Sequence, residues 1–130
     1  MPHSTRWLVH RRVAFTRVTG TFTAEELKEL LFHLRIMTRD GRPPVHHIID
    51  TRFVDNTEFG ASTLKALSAR RCTNTGVVIM LLKDKGQVFM ASIAAQFFGV
   101  KMRGANDFRE AMHYLKTYDD QDLSITTSTR

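Results

Sequence analysis

The sequence predicts a single α/β domain whose sheet is mixed but mostly parallel. Residues 45–49 and 76–82 are nearly continuous apolar runs of strand length, as expected for central strands that are covered on both faces. Such runs alternate with segments of helical periodicity, which is typical of parallel strands joined by right-handed crossovers. The expected order is strand, strand, helix, strand, helix, strand, helix, strand, helix, with about four helices in all.

The chain opens with a predicted hairpin and then the clearest of its helices. Residues 7–10 and 13–19 are rich in apolar and β-branched side chains, which suit half-buried strands, and Gly20 is expected to end the second strand. Thr23 begins a capping box, and apolar residues then recur at helical intervals. The spacing therefore predicts a helix over residues 24–39.

The remaining elements follow from similar patterns. The first central strand is expected to end in a turn over residues 50–60. Residues 61–71 and 88–98 are predicted to be helices, and the second of these is apolar on more than one face. A short edge strand at residues 100–103 and a last helix capped by Asn106 complete the domain.

The composition favours one folded domain in the cytoplasm. With 130 residues, of which 42% are hydrophobic, the chain can bury the core of a domain at residues 6–118, between an N-terminal extension at 1–5 and a flexible tail at 119–130. The single cysteine, Cys72, excludes an internal disulfide. Because no apolar segment is long enough for a membrane span or a signal peptide, we do not expect an integral membrane protein.

The net charge of +6 raises the question of nucleic acid or an anionic membrane as a partner. The arginines are scattered, and no RNP-like aromatic motif or helix-turn-helix signature accompanies them. A solvated basic surface is therefore the better interpretation, and nucleic acid is not the expected partner. The densest group consists of Arg6, Arg11, Arg12 and Arg17.

The sequence contains no pattern that indicates catalysis or metal binding. His46 and His47 are adjacent on a predicted strand, so their side chains point to opposite faces and cannot share one metal ion. Ser62 lacks the glycine spacing of a nucleophile elbow, and residues 83–86 lack that of a phosphate loop. We therefore expect no enzyme activity, no metal and no cofactor.

The order of elements resembles the STAS fold of bacterial anti-sigma-factor antagonists, and more closely its SpoIIAA-like branch, which is grouped with lipid-binding SEC14 domains. The resemblance covers about residues 6–118. It is carried by residues 18–23 before the first helix, 48–50 at the end of the central strand and 108–115 in the last helix. It implies a non-enzymatic regulatory or protein-interaction module.

The resemblance also implies a candidate switch. In the antagonists a kinase phosphorylates a serine or threonine in the turn that follows the strand ending in Asp, where a dianion changes a docking surface. Asn56 occupies that position here, so Thr57 is the remaining candidate for a switch and an anti-sigma-factor-like kinase the corresponding partner. Hydroxyls near a helix start are, however, more often simple caps. The residues of this predicted turn are Asp50, Asp55, Asn56, Thr57, Gly60 and Ser62.

A second candidate surface lies on the helix predicted at residues 88–98. An apolar patch that faces outward would mark an interface or a ligand groove, whereas a buried helix explains the same pattern, and both interpretations stay open. An interface favours a homodimer. A groove favours the alternative function, a carrier or sensor of a small apolar or lipid-like ligand. The residues concerned are Phe89, Met90, Ile93, Phe97 and Phe98.

Overall fold

The computed structural model describes residues 3–60, 62–63, 75–83 and 101–118, which form one mixed sheet of five strands and two helices. β1 is antiparallel to β2, every other pair of neighbours is parallel, and the order of strands across the sheet is the order of the chain. The elements are β1 His3–Val9, β2 Val13–Thr23, α1 Ala24–Asp40, β3 Val45–Glu58, β4 Thr75–Leu81, β5 Lys101–Ala105 and α2 Phe108–Tyr118.

The predicted mixed sheet with an opening hairpin is therefore confirmed, but the described part of the chain contains two helices instead of four. The helices predicted at residues 61–71 and 88–98 fall outside the described residues, except that Ser62 and Thr63 are helical. The predicted tail at residues 119–130 also lies outside them.

α1 begins and ends within one residue of its prediction because its signals are local. Thr23 has an extended backbone, and its Oγ1 accepts a hydrogen bond from the backbone N–H of Glu26 at 3.1 Å, which caps the first turn. Leu27, Leu30 and Leu34 form the buried stripe. Their burial fixes α1 against one face of the sheet.

Each face of the sheet carries its own hydrophobic cluster. Ile48 and Ile79 belong to a cluster with residues of α2, whereas Ile49 and Val78 belong to a cluster with residues of α1. Successive side chains of a strand point to opposite faces, so β3 and β4 contribute to both clusters. The two faces are named below after the helix that covers each, the α1 face and the α2 face.

β3 is longer than the sequence predicts. The turn predicted over residues 50–60 is wrong, because the strand continues to Glu58. The cause lies in β2, which also continues past its predicted end at Gly20 and pairs with β3 until Thr23 lies opposite Glu58. This pairing gives the backbone groups of both strands hydrogen-bond partners that a turn would leave to water.

The ends of β2 and β3 form a two-stranded ribbon beyond β4. β4 pairs with β3 only from Val45 to Asp50, whereas β2 pairs with β3 as far as Glu58. Residues 19–23 and 53–58 are referred to below as the β2–β3 ribbon. Within the described residues, β2 is the only strand that pairs with this part of β3.

Gly20 has a backbone conformation in which an L residue would be strained, and this can be tested by substitution. It has φ +72°, next to a register shift, and a Cβ added there meets nothing within 4 Å. We expect Gly20→Ala to lower the free energy of unfolding by about 1 kcal/mol, because an L residue is strained at positive φ. Urea denaturation measures the change. Gly60→Ala is the control, since Gly60 has the same open space without a positive φ, and a loss as large in this variant would contradict the explanation.

Smaller differences concern the ends of elements. β1 begins at His3, before the predicted start of the domain at residue 6, and β5 extends to Ala105. The cap of α2 is Asp107 and not Asn106, because Asp107 Oδ1 accepts from the backbone N–H of Glu110 at 2.8 Å. The backbone N–H of Asn106 instead donates to Oε1 of Glu110 at 2.9 Å.

Candidate functional site

The candidate site lies on the α2 face, where the pairing of β3 with β4 ends and the β2–β3 ribbon begins. Arg17 of β2 lies directly opposite Asp50 of β3, so both side chains are on this face. Arg52 and Phe53 follow in β3 at the start of the ribbon. The cluster lies level with the carboxyl end of β4, whose last residue, Leu81, is opposite Asp50. The carboxyl ends of parallel strands are a common location for binding sites in open α/β sheets.

Asp50 is a fully buried carboxylate held by two arginines. Its Oδ1 accepts hydrogen bonds from Nε and from the backbone N–H of Arg52, at 3.0 and 3.1 Å. Its Oδ2 accepts from Nη2 of Arg52 at 3.1 Å and from Nε of Arg17 at 3.2 Å. Charge-assisted hydrogen bonds to both oxygens thus replace the water that burial removes.

The arginines keep Asp50 ionised. Burial alone raises the pKa of Asp50, because the charged form loses its hydration. The hydrogen bonds and the charge of Arg52, together with the hydrogen bond from Arg17, outweigh burial and lower the pKa below its usual 3.8. The same hydrogen bond raises the pKa of Arg52. The two arginines and one aspartate therefore carry a net positive charge at pH 7.

Two phenylalanines flank the guanidinium groups. Cζ of Arg17 lies 5.7 Å from the centre of the Phe15 ring and 5.1 Å from that of Phe53, and Cζ of Arg52 lies 5.8 Å from Phe53. These distances allow cation–π attraction, which restrains the guanidinium groups. Phe53 nevertheless leaves 51% of its surface exposed. A large aromatic ring is thus presented to solvent between two oriented arginines.

The structure separates the residues of the predicted turn. Asp50 is buried in the arginine cluster, whereas Thr57 is exposed on a strand opposite Phe22 and does not lie at the start of a helix. The phosphorylation position implied by the STAS resemblance is therefore not reproduced in geometry, and a switch at Thr57 stays a prediction. The exposed residues of the set are Asp55, Asn56, Thr57, Gly60 and Ser62.

The second predicted surface falls outside the described residues. The interface and the ligand groove proposed for it therefore both stay predictions. Its residues are Phe89, Met90, Ile93, Phe97 and Phe98.

His46 and His47 point to opposite faces, as predicted, and both are buried. Nδ1 of His46 accepts a hydrogen bond from the backbone N–H of Val77 at 3.0 Å. Its ring meets that of Tyr118 edge-on, with 5.9 Å between centres. His46 thereby holds together the start of β4 and the end of α2.

His47 lies beneath α1 and is neutral at pH 7. Thr38 Oγ1 donates its single hydrogen to the carbonyl of Leu34 at 2.8 Å, so Nε2 of His47 donates to Thr38 Oγ1, also at 2.8 Å. Nδ1 is then an acceptor, and it has no partner within the described part of the chain. Burial, with a smaller contribution from the charge of His46, lowers the pKa of His47 to about 4.

The described residues contain neither a cluster of metal-ligating side chains nor a helix suited to a membrane. Among them, no three His, Cys, Asp or Glu side chains are grouped so that they could hold a metal ion. No helix in the same ranges has the length and the apolar character required to cross a membrane.

The architecture is that of a SpoIIAA-like fold, as the sequence predicts. The chain is similar to a solved structure, an uncharacterised protein of the DUF3478 family with a SpoIIAA-like fold from Shewanella loihica PV-4. The two share 17% sequence identity with a TM-score of 0.60 over 79% of this chain and 83% of that chain. No family model and no curated protein matches the sequence. The likeness concerns the fold, so function is argued from the site.

Sequence reasoning missed Arg17, Arg52 and Phe53 as site residues. Asp50 and Arg52 are two positions apart, a spacing that places them on the same face of a strand. That signal was available, but reading residues 50–60 as a turn removed it. Arg17 offered no local signal, because only the register of β2 against β3 brings it to Asp50.

Proposed function

We propose that this protein is a non-enzymatic, cytoplasmic interaction module that binds a protein partner through the β2–β3 ribbon and the arginine–phenylalanine cluster at its base. The observation that carries the proposal is Phe53, half exposed between Arg17 and Arg52. Arginine and large aromatic residues contribute disproportionately to binding energy at protein interfaces. The rest of the ribbon adds an extended and largely exposed surface, as a protein partner requires.

The arrangement of the buried titratable groups supports a role without catalysis. His46 and His47 hydrogen-bond to the backbone of β4 and to α1, and Asp50 accepts from two arginines. A general acid or base must come within hydrogen-bond distance of its substrate. These three groups are instead buried.

The resemblance to anti-sigma-factor antagonists favours a protein as the partner, and a second copy of this chain is included in that class. The alternative, a carrier or sensor of an apolar ligand, depends on residues 88–98. Because those residues lie outside the described ranges, no described contact favours the alternative.

We expect a photo-crosslinking amino acid at Thr21 to capture the partner inside the cells that produce this protein. Thr21 is exposed on the ribbon and pairs with Asn56, so a crosslinker there reaches what lies against the ribbon. A discrete crosslinked band is the expected result, measured by electrophoresis and mass spectrometry. A band at twice the mass of the chain identifies a second copy.

The matched variants are Phe53→Ser and Phe32→Ser. Phe32 is as exposed as Phe53, at 58% against 51%, but it lies on α1. Phe53→Ser should reduce the band at least about tenfold, as expected when a central aromatic residue is lost from an interface. Phe32→Ser should leave it unchanged. The absence of any band from Thr21, or equal loss in both variants, would refute the proposed function.

A further inference from the structure

We infer that Arg6, Arg17 and Arg52 form a binding site for an anionic side chain of the partner, either a carboxylate or a phosphoryl group. The inference rests on the proposed function and names the chemistry that the partner brings to it. Four features of the α2 face support such a site: the neighbours that the guanidinium groups share, their net charge, their unused donors and the exposed ring beside them.

Three neighbouring strands each contribute one arginine to this part of the sheet. Arg6 of β1 lies opposite Phe15, and Arg17 of β2 lies opposite Asp50. Cζ of Arg6 and Cζ of Arg17 lie 5.8 and 5.7 Å from the centre of the Phe15 ring. Arg52 joins the group because it shares the carboxylate of Asp50 with Arg17. Arg6 and Arg17 thus share the Phe15 ring as a neighbour, and Arg17 and Arg52 share Asp50, which places the three guanidinium groups in one area of the α2 face.

The charges of this area do not cancel. Three guanidinium groups are opposed by Asp50, which pairs with Arg17 and Arg52, and by Asp107, whose charge acts on Arg52. The balance is one net positive charge. Asp50 is also fully buried, so it orients the arginines without presenting its own charge to a ligand.

Arg6 and Arg17 have N–H donors that no acceptor among the described residues uses. In the part of the chain that the structure describes, Arg17 uses only Nε in a hydrogen bond, and Arg6 makes a cation–π contact without a hydrogen-bonded acceptor. The side chain of Arg17 is 47% exposed. Because Asp50 and the aromatic rings already restrain Arg17, less side-chain freedom is lost when its terminal nitrogens bind an anion.

Phe53 explains why the ligand is expected to be part of a larger molecule. Its exposed ring lies beside the guanidinium groups of Arg17 and Arg52 and can cover an apolar group attached to the anion. A free inorganic anion would leave that ring in water. An anionic side chain of a protein, carried on an apolar or aromatic stem, would use both features.

Phenyl phosphate and phenylacetate test the site without the partner, with inorganic phosphate as a third probe. Nuclear magnetic resonance titrations should show shifts of the Arg17 and Arg52 Nε–H signals and of the Phe53 amide. Arg17→Gln and Arg6→Gln should each weaken binding of the better aromatic probe about fivefold or more. Arg6→Gln does not disturb Asp50, so it keeps the test valid even if Arg17→Gln is unstable.

Arg39→Gln is the control, because Arg39 is an exposed arginine at the end of α1 with its own ion pair to Asp40. This variant should bind like the wild type. Tighter binding of phenyl phosphate than of phenylacetate identifies a phosphoryl source, and the opposite order or equal affinity identifies a carboxylate. No shift with any probe, or equal weakening in Arg39→Gln, overturns the site.

Binding of a short fluorescent oligothymidylate tests whether a specific anion site or a diffuse attraction to polyanions explains the titrations. Oligonucleotide binding that Arg39→Gln weakens as much as Arg17→Gln does would overturn the inference. These titrations and the crosslinking experiment can fail separately. If crosslinking depends on Phe53 but no anion binds, the proposed interaction module is supported and only the anion site is refuted.

Discussion

Replacing Asp50 with alanine is expected to lower the free energy of unfolding by about 3 kcal/mol. Removing one partner from a buried ion pair costs about 3–5 kcal/mol. The lower end applies because the Arg17 and Arg52 side chains are 47% and 29% exposed and can regain water. The backbone N–H of Arg52 also loses its acceptor. Urea denaturation at pH 7 measures the change.

Asp40→Ala provides the matched control for this prediction. Asp40 accepts from Arg39 at 3.2 Å, the same distance as from Arg17 to Asp50, but the side chains of this pair are 58% and 74% exposed. Exposed pairs contribute little, so the change should stay below about 0.5 kcal/mol. Similar losses in the two variants would show that burial does not determine the contribution of Asp50.

Lowering the pH from 7 to 4 is expected to reduce the free energy of unfolding by up to about 3 kcal/mol through His47 alone. The pKa of His47 is about 4 in the folded protein, against the ordinary value of 6.5. Between these values the unfolded chain binds more protons than the folded one, so stability falls as the pH falls. The stability contributed by Asp50 is lost at lower pH, below 3.8, because its folded pKa is lowered.

His47→Gln isolates this contribution. Glutamine keeps a donor for Thr38 but does not titrate, so the variant should lose much less stability between pH 7 and pH 4 than the wild type does. His10→Gln removes an exposed histidine and should keep the wild-type pH dependence. Urea denaturation at a series of pH values compares the three proteins. A slope that His47→Gln leaves unchanged would assign the effect to another group.

The sequence predicts the first helix well and the ribbon poorly, for a physical reason. The cap residue Thr23 and the leucine stripe of α1 lie within a short segment of the chain, so the sequence alone predicts this helix. The strand state of residues 53–58 depends on pairing with residues 19–23, far away along the chain. Taken locally, the polar run that includes Asp55 and Asn56 has the composition of a turn.

The same distinction applies to the site. Asp50 is a site residue predicted from the sequence, but its role in the structure is that of a buried anchor for two arginines. Arg17 is 33 positions away from Asp50 and meets it only through the strand register. The burial of His46 and His47 follows from two helices covering opposite faces, and nothing in the His-His pair indicates how deep each ring lies.

The order of strands bears on how the chain folds during synthesis. In the described sheet, each strand after β1 pairs with the strand that precedes it in the sequence. The ribosome releases the N-terminal hairpin first, and each later strand finds its neighbour already outside the exit tunnel. No strand of the described sheet has to insert between two that have already paired. The sheet can therefore grow from one edge to the other, in the direction of translation, without undoing earlier contacts.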